Sequence, residues 1–161
     1  IKEQHYLQTQ MAIYMKFLQR LFRSKLSIKY VLRGYTYLHG SDSLAKHEFG
    51  IIDSFEENKW YSDYEPEKYN CISVNDDLVE ELIIKYNEEL MAIKTYFQVT
   101  TQPGTGLDYC GVTLIPPESL KQFRDIIIKA NNHFKAKELQ LLTEKITEAI
   151  TGNKYLIHYG I

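Results

Sequence analysis

Two adjacent prolines, Pro116 and Pro117, constrain this chain more than any other feature. Neither a helix interior nor a central strand tolerates such a pair, but the first turn of a helix does, because its N–H groups have no intrahelical partner. Ahead of the pair, Leu107 to Ile115 is a mostly apolar run; behind it, Leu120, Phe123, Ile126, Ile127 and Ala130 recur at helical spacing. Glu118 suits the positive end of a helix dipole. The stretch Gly106–Ile128 therefore predicts a buried strand over 107–115, a corner, and an amphipathic helix. It contains no nucleophile elbow, phosphate loop or ligand cluster.

Working outward from this stretch, residues 2–24 predict a helix whose stripe is Tyr6, Leu7, Met11, Tyr14, Leu18 and Leu21. Its cations gather toward the C-terminal end, and a core-facing role explains the stripe without a membrane surface. Residues 26–38 fit a strand or a helix. HGSDS (39–43) is a break, and Leu44, Ile51, Ile52 and Phe55 predict a helix over 44–58, with Gly50 as its weak point. WYSDYEPEKYN (60–70) reads as a loop and 71–74 as a short strand. Asn75, Asp76 and Asp77 then cap a helix with an acidic first turn that ends near Leu90. Asp77 and Glu80 offer an alternative capping box. Residues 93–99 predict a strand antiparallel to 107–115 across the turn 100–106. After a bend at 131–133, Leu139, Leu142, Ile146, Ala149 and Ile150 predict a last helix, closed by Gly152 as a left-handed cap. YLIHY (155–159) predicts an interior strand beside 107–115. The expected fold is one α+β domain over 1–161, mostly helical, with a small, mainly antiparallel sheet from 71–74, 93–99, 107–115 and 154–159.

A chain of 161 residues is large enough for one core that buries about two-thirds of its unfolded surface. Its 44% hydrophobic and 25% charged content is that of a soluble globular domain, and no run of about 18 apolar residues suggests a membrane span. The polar opening IKEQHYLQTQ shows no secretory signal. Cys71 and Cys110 read as reduced thiols of a cytosolic protein, and neither has a Cys or His at zinc-site spacing.

Three constellations invite a chemical reading. His47-Glu48 with Asp53 lacks the second histidine at i+4 that a helical zinc motif needs, so both residues read as a solvated helix face. Gly104, Gly106 and Gly111 precede a strand, whereas a dinucleotide fingerprint follows one and opens into a helix. Cys110 and His158 would make a hydrolase pair only with the thiol partly exposed beside the base; both lie in apolar runs and read as core positions. No cofactor and no metal is expected.

Charge is distributed unevenly. Residues 1–47 carry eight Lys/Arg against two Asp/Glu, residues 48–89 three against thirteen, and residues 90–161 eight against six. Much of the acidic part belongs to the loop that holds the single tryptophan and several of the thirteen tyrosines. Tyrosine and tryptophan are frequent interface anchors, and surrounding carboxylates steer cationic partners. The partner-facing surface is therefore placed on Trp60, Tyr61 and Tyr64 as anchors and on Asp63, Glu65, Glu67, Asp76 and Asp77 as steering charges, with Glu80 and Glu81 extending it. A sequence pI of about 6.2 argues against nucleic acid unless the basic first segment forms a face of its own.

The runs ISVNDDLVEEL, KTYFQV, GLDYCGVTLIPPESL and NKYLIHYGI together resemble small bacterial immunity proteins that accompany polymorphic or contact-dependent toxins. The resemblance covers roughly the C-terminal half and supplies no motif residues to carry over. It implies a cytoplasmic non-enzyme that binds one toxin domain, often a nuclease with a basic cleft, and covers its active site. The alternatives are a small hydrolase using Cys110 and His158 or carboxylates of 48–89, and a structural or regulatory interaction domain.

Overall fold

The proline pair turns the chain as its chemistry requires. Strand β5 (Val112–Ile115) ends against Pro116, which is extended (φ −72°, ψ 157°), and helix α3 (Pro117–Phe134) starts at once. The computed structural model describes residues 45–160. The helix expected over 2–24 and the undecided stretch 26–38 lie outside these residues, so the single domain expected over 1–161 is described only in part.

Within them, β1 (Lys46–Ile52), β2 (Ile72–Asn75), α1 (Asp76–Lys85), α2 (Asn87–Met91), β3 (Lys94–Phe97) and β4 (Pro103–Thr105) precede β5 and α3. Helix α4 (Lys137–Thr151) and β6 (Tyr155–Tyr159) follow. The six strands form one sheet in the order β2-β1-β6-β5-β3-β4, with every neighbouring pair antiparallel. The expectation of a mostly helical fold with a small sheet is thereby overturned: a six-stranded sheet is the centre, and four helices accompany it among the described residues.

The largest error is at 44–58, where the expected helix is β1, seated between β2 and β6. Its residues from His47 to Ile52 are all buried, so no exposed alternation betrays a strand. Gly50 has a different purpose from the one a helix would give it. A Cβ there would lie 2.6 Å from the Tyr69 carbonyl oxygen and 2.5 Å from Cys71 Sγ, so only glycine admits the crossing chain. The Ile51 N–H donates to that same Tyr69 oxygen at 3.0 Å. Strand β4 was missed inside a turn-rich stretch, and 107–111 forms a turn rather than the first half of a strand.

The sheet has two apolar faces. One packs Phe49, Ile51, Val74, Ile115 and Leu156 against Leu120, Phe123, Ile126 and Ile127 of α3 and Leu139, Leu142 and Ile146 of α4. The other gathers Ile52, Val112, Leu114, Ile157 and Tyr159 beneath Tyr61 and Tyr69 of the loop 53–71. Local capping follows the sequence at α1, where Asn75 Oδ1 accepts the Asp77 N–H at 2.9 Å. At the end of α4 the left-handed residue is Asn153 (φ 50°), not Gly152 (φ −83°).

Candidate functional site

The loop 53–71 is strapped across the sheet by its backbone. Tyr61 N–H donates to Gln98 O at 2.8 Å, Tyr159 Oη–H donates to Asp63 O at 3.1 Å, and Cys71 N–H donates to Pro66 O at 2.9 Å. This arrangement divides the three expected anchors. Tyr61 is only 4% exposed, and its hydroxyl oxygen accepts the Glu56 N–H at 2.8 Å. It belongs to the core, because an amphipathic ring beside a sheet gains more from burial than from solvent. Trp60 and Tyr64 stay outside, 43% and 63% exposed.

Tyr64 is nevertheless tied down: its hydroxyl donates to the carboxylate of Glu48, and its ring stands edge-on to Tyr159. Glu48 is buried on β1 and also meets Lys46 Nζ at 3.0 Å and the Ser73 hydroxyl at 3.2 Å. Burial pushes its carboxyl up, and the bonds from Tyr64, Lys46 and Ser73 outweigh that, leaving it below the ordinary value. Reading Glu48 as a solvated helix residue was wrong, since its solvation is replaced by three protein partners.

The steering charges also separate. Asp63 and Glu67 are exposed and form no ion pair among the described residues, whereas Glu65 is held by Lys68 at 2.8 Å. Asp77 and Glu81 are exposed on α1. Glu80 is partly buried, and burial together with Asp76, Asp77 and Glu81 raises its pKa. The loop lies on the aromatic face of the sheet, while α1 leaves the end of edge strand β2 and packs into the other core. The two groups thus lie on opposite faces of the sheet.

Asp76 does something the sequence did not suggest. It accepts from His47 Nε2 at 3.1 Å and from the Tyr109 hydroxyl. His47 Nδ1 lies 2.9 Å from His158 Nε2, and His158 Nδ1 lies 3.3 Å from Thr113 Oγ1. Both imidazoles are 0% exposed. The reading of His47 as solvent-facing is corrected here: β1 directs it into the helix-side core. A signal existed in Thr113 and His158, each set in an apolar run, but His47 stands between Lys46 and Glu48, and only strand pairing brings the three together.

Cys110 is exposed, not a core position, and burial of its sulfur and the nearby Asp108 and Asp76 charges raise its pKa. Both ring nitrogens of His158 are engaged elsewhere, so it is not disposed as a base for that thiol. Among the described residues no three His, Cys, Asp or Glu side chains converge as a metal site, and no helix is long and apolar enough to cross a membrane. An open groove of about 470 Å³ between α2 and α3 has mixed charge, lined by Glu89, Glu118, Asp125, Lys121 and Lys129, and holds none of the expected site residues. Comparison with protein-family models, with curated proteins and with solved structures finds no match.

Proposed function

We propose that this chain is an inhibitory binding protein of the immunity type, acting in the cytoplasm on a cationic toxin domain such as a nuclease. The observation that carries the reading is the exposed Trp60–Tyr64 rim. Two large aromatics stand out from a loop whose backbone is otherwise fixed, beside Asp63 and Glu67, which have no cationic partner among the described residues. A fixed loop loses little entropy on docking, so aromatic burial there converts efficiently into affinity. Unpaired carboxylates at its edge speed association with a basic surface. Glu81 and Asp77 add exposed negative charge on α1.

Co-expression with the product of the adjacent upstream gene tests the proposal. The expected result is that the neighbour arrests growth alone, that the chain restores growth, and that the two co-purify as a stable complex. A harmless neighbour that forms no complex rejects it.

A further inference from the structure

The chain from Asp76 through His47 and His158 to Thr113 can be assigned hydrogen by hydrogen. Asp76 only accepts, so His47 Nε2 carries a hydrogen. With neutral rings, His47 Nδ1 then accepts from His158 Nε2–H, and His158 Nδ1 accepts from the Thr113 hydroxyl. Thr113 Oγ1 in turn accepts the Asp108 N–H at 2.8 Å. Every polar atom of the chain is satisfied, and both histidines are in the Nε2–H form.

One added proton keeps the ring-to-ring bond: His47 carries hydrogens on both nitrogens and donates from Nδ1 to His158 Nε2, His158 Nδ1–H donates to Thr113 Oγ1, and the Thr113 hydroxyl hydrogen turns away from the ring. A second proton has only His158 Nε2 left to occupy, which breaks the ring-to-ring bond and sets two imidazoliums together. Their centroids are 5.1 Å apart, and Phe49 stacks on His158 at 4.6 Å.

The surroundings do not relieve that charge. Among the described residues, Asp76 is the carboxylate in contact, and Tyr109 lies edge-on to His47 at 4.8 Å. Glu80 on α1 and Asp108 and Cys110 in the turn are further titratable groups at this end. Glu138 of α4 is committed to the Asn75 N–H at 3.2 Å. Val74 of β2, Ile115 of β5 and Phe123 of α3 are apolar and fully buried. At this end of the hydrogen-bonded chain, the Asp76 side chain is 19% exposed and the turn holds exposed Cys110.

We infer that the His47–His158 pair is an acid-operated latch: with at most one added proton it holds the turn 108–111 and the start of α1 closed, and a second proton opens those two segments while the α3–α4 layer stays folded. The opened state binds one proton more than the closed state. Burial and the neighbouring His47 already hold His158 well below the usual imidazole range, in the direction the latch requires. The latch does not depend on what the protein binds.

Hydrogen exchange on the full chain, read amide by amide and corrected for intrinsic rates, tests it. Below about pH 6.5 the opening constant at Asp76 and Asp108 should rise roughly tenfold per pH unit. Exchange at Ile126, Ile127 and Leu142 should stay slower than at those reporters throughout. No excess pH dependence at Asp76 and Asp108, or rates equal to those of the α3–α4 amides, overturns the inference. The substitution His158→Gln should remove the pH slope. Should that variant not fold, nitrogen-15 histidine spectra of the unmodified chain decide: both rings must be Nε2–H near pH 7.5, and a His158 Nδ1–H form or an imidazolium there rejects the latch.

Discussion

The hydroxyl of Tyr64 donates to the carboxylate of Glu48, joining an exposed loop ring to a buried residue of strand β1. The bond restrains the more exposed of the two rim aromatics and solvates a charge the sheet has taken out of water. Tyr64→Phe should cost about 1 to 2 kcal/mol at neutral pH, measured by urea unfolding. It should also raise the Glu48 pKa in a carbon-13 titration. Because that pKa is depressed in the folded protein, the stability Glu48 contributes is present above its unfolded value of 4.5 and is lost as pH falls through the folded one. The variant should lose less of it on acidification. Tyr64 itself, pushed up to about 12 first by its bond to Glu48 and then by burial, should drop out of the phenol titration in the same variant.

If the rim is the binding surface, Trp60→Ala should weaken partner binding by about 2 kcal/mol or more, mainly through faster dissociation. The double variant Asp63→Asn/Glu67→Gln should slow association and flatten its salt dependence. Surface plasmon resonance separates the two effects. Tyr61→Ala should instead destabilise the fold by about 3 kcal/mol, since its ring is core. Unchanged kinetics in folded Trp60 and Asp63/Glu67 variants would move the site elsewhere.

Gly50→Ala should destabilise by about 3 kcal/mol, because the new methyl meets the Tyr69 backbone and leaves it no room to yield. Thermal or denaturant unfolding checks this; a loss under about 0.5 kcal/mol would show that the 69–71 crossing is not tightly held.

Acid should weaken the fold through His158. Its pKa is lowered in the folded state, so the unfolded chain binds the extra proton, and stability falls as pH drops below about 6.5. The slope should approach about 1.4 kcal/mol per pH unit until the folded pKa is reached. Denaturation midpoints of the unmodified chain and of His158→Gln between about pH 7 and pH 5 should diverge in slope.

Cys71 should resist alkylation at neutral pH. Burial, with the Glu48 charge second, pushes its thiol up to about 12, so its thiolate fraction is about a thousandfold or more below that of a free cysteine. Cys110 is exposed, and its raised pKa predicts modest reactivity, far from that of an activated nucleophile. Timed iodoacetamide labelling with peptide mapping distinguishes the two sites; rapid labelling of Cys110 at pH 7 would revive the hydrolase alternative.

What was legible in the residues was what neighbours in sequence enforce. Pro116 and Pro117 set the corner before α3, the stripe from Leu120 to Ala130 set its buried face, and Asn75 capped α1. The pairing of 155–159 with the end of 107–115 followed from two apolar runs, and the structure supplied its antiparallel register. The acidic composition of 48–89 was equally plain, although its division between a loop rim and a helix was not.

The tertiary structure decided the rest, because the deciding partners are remote. A strand buried on both faces shows no alternation, so β1 passed for a helix carrying a solvated His47 and Glu48. His47 is tolerable in the core only because His158 lies 111 positions away and Asp76 29 positions away. Glu48 is tolerable only because Tyr64, Lys46 and Ser73 surround it. The composition of the loop showed tyrosines near carboxylates, but which ring faces solvent was set by the sheet beneath them. Tyr61 is anchored to Gln98 and buried, while Tyr64 reaches back to Glu48 with its ring exposed. Polar groups can be buried only where their hydrogen bonds are met. Local periodicity decided the helices; long-range strand pairing decided which polar residues the core accepts.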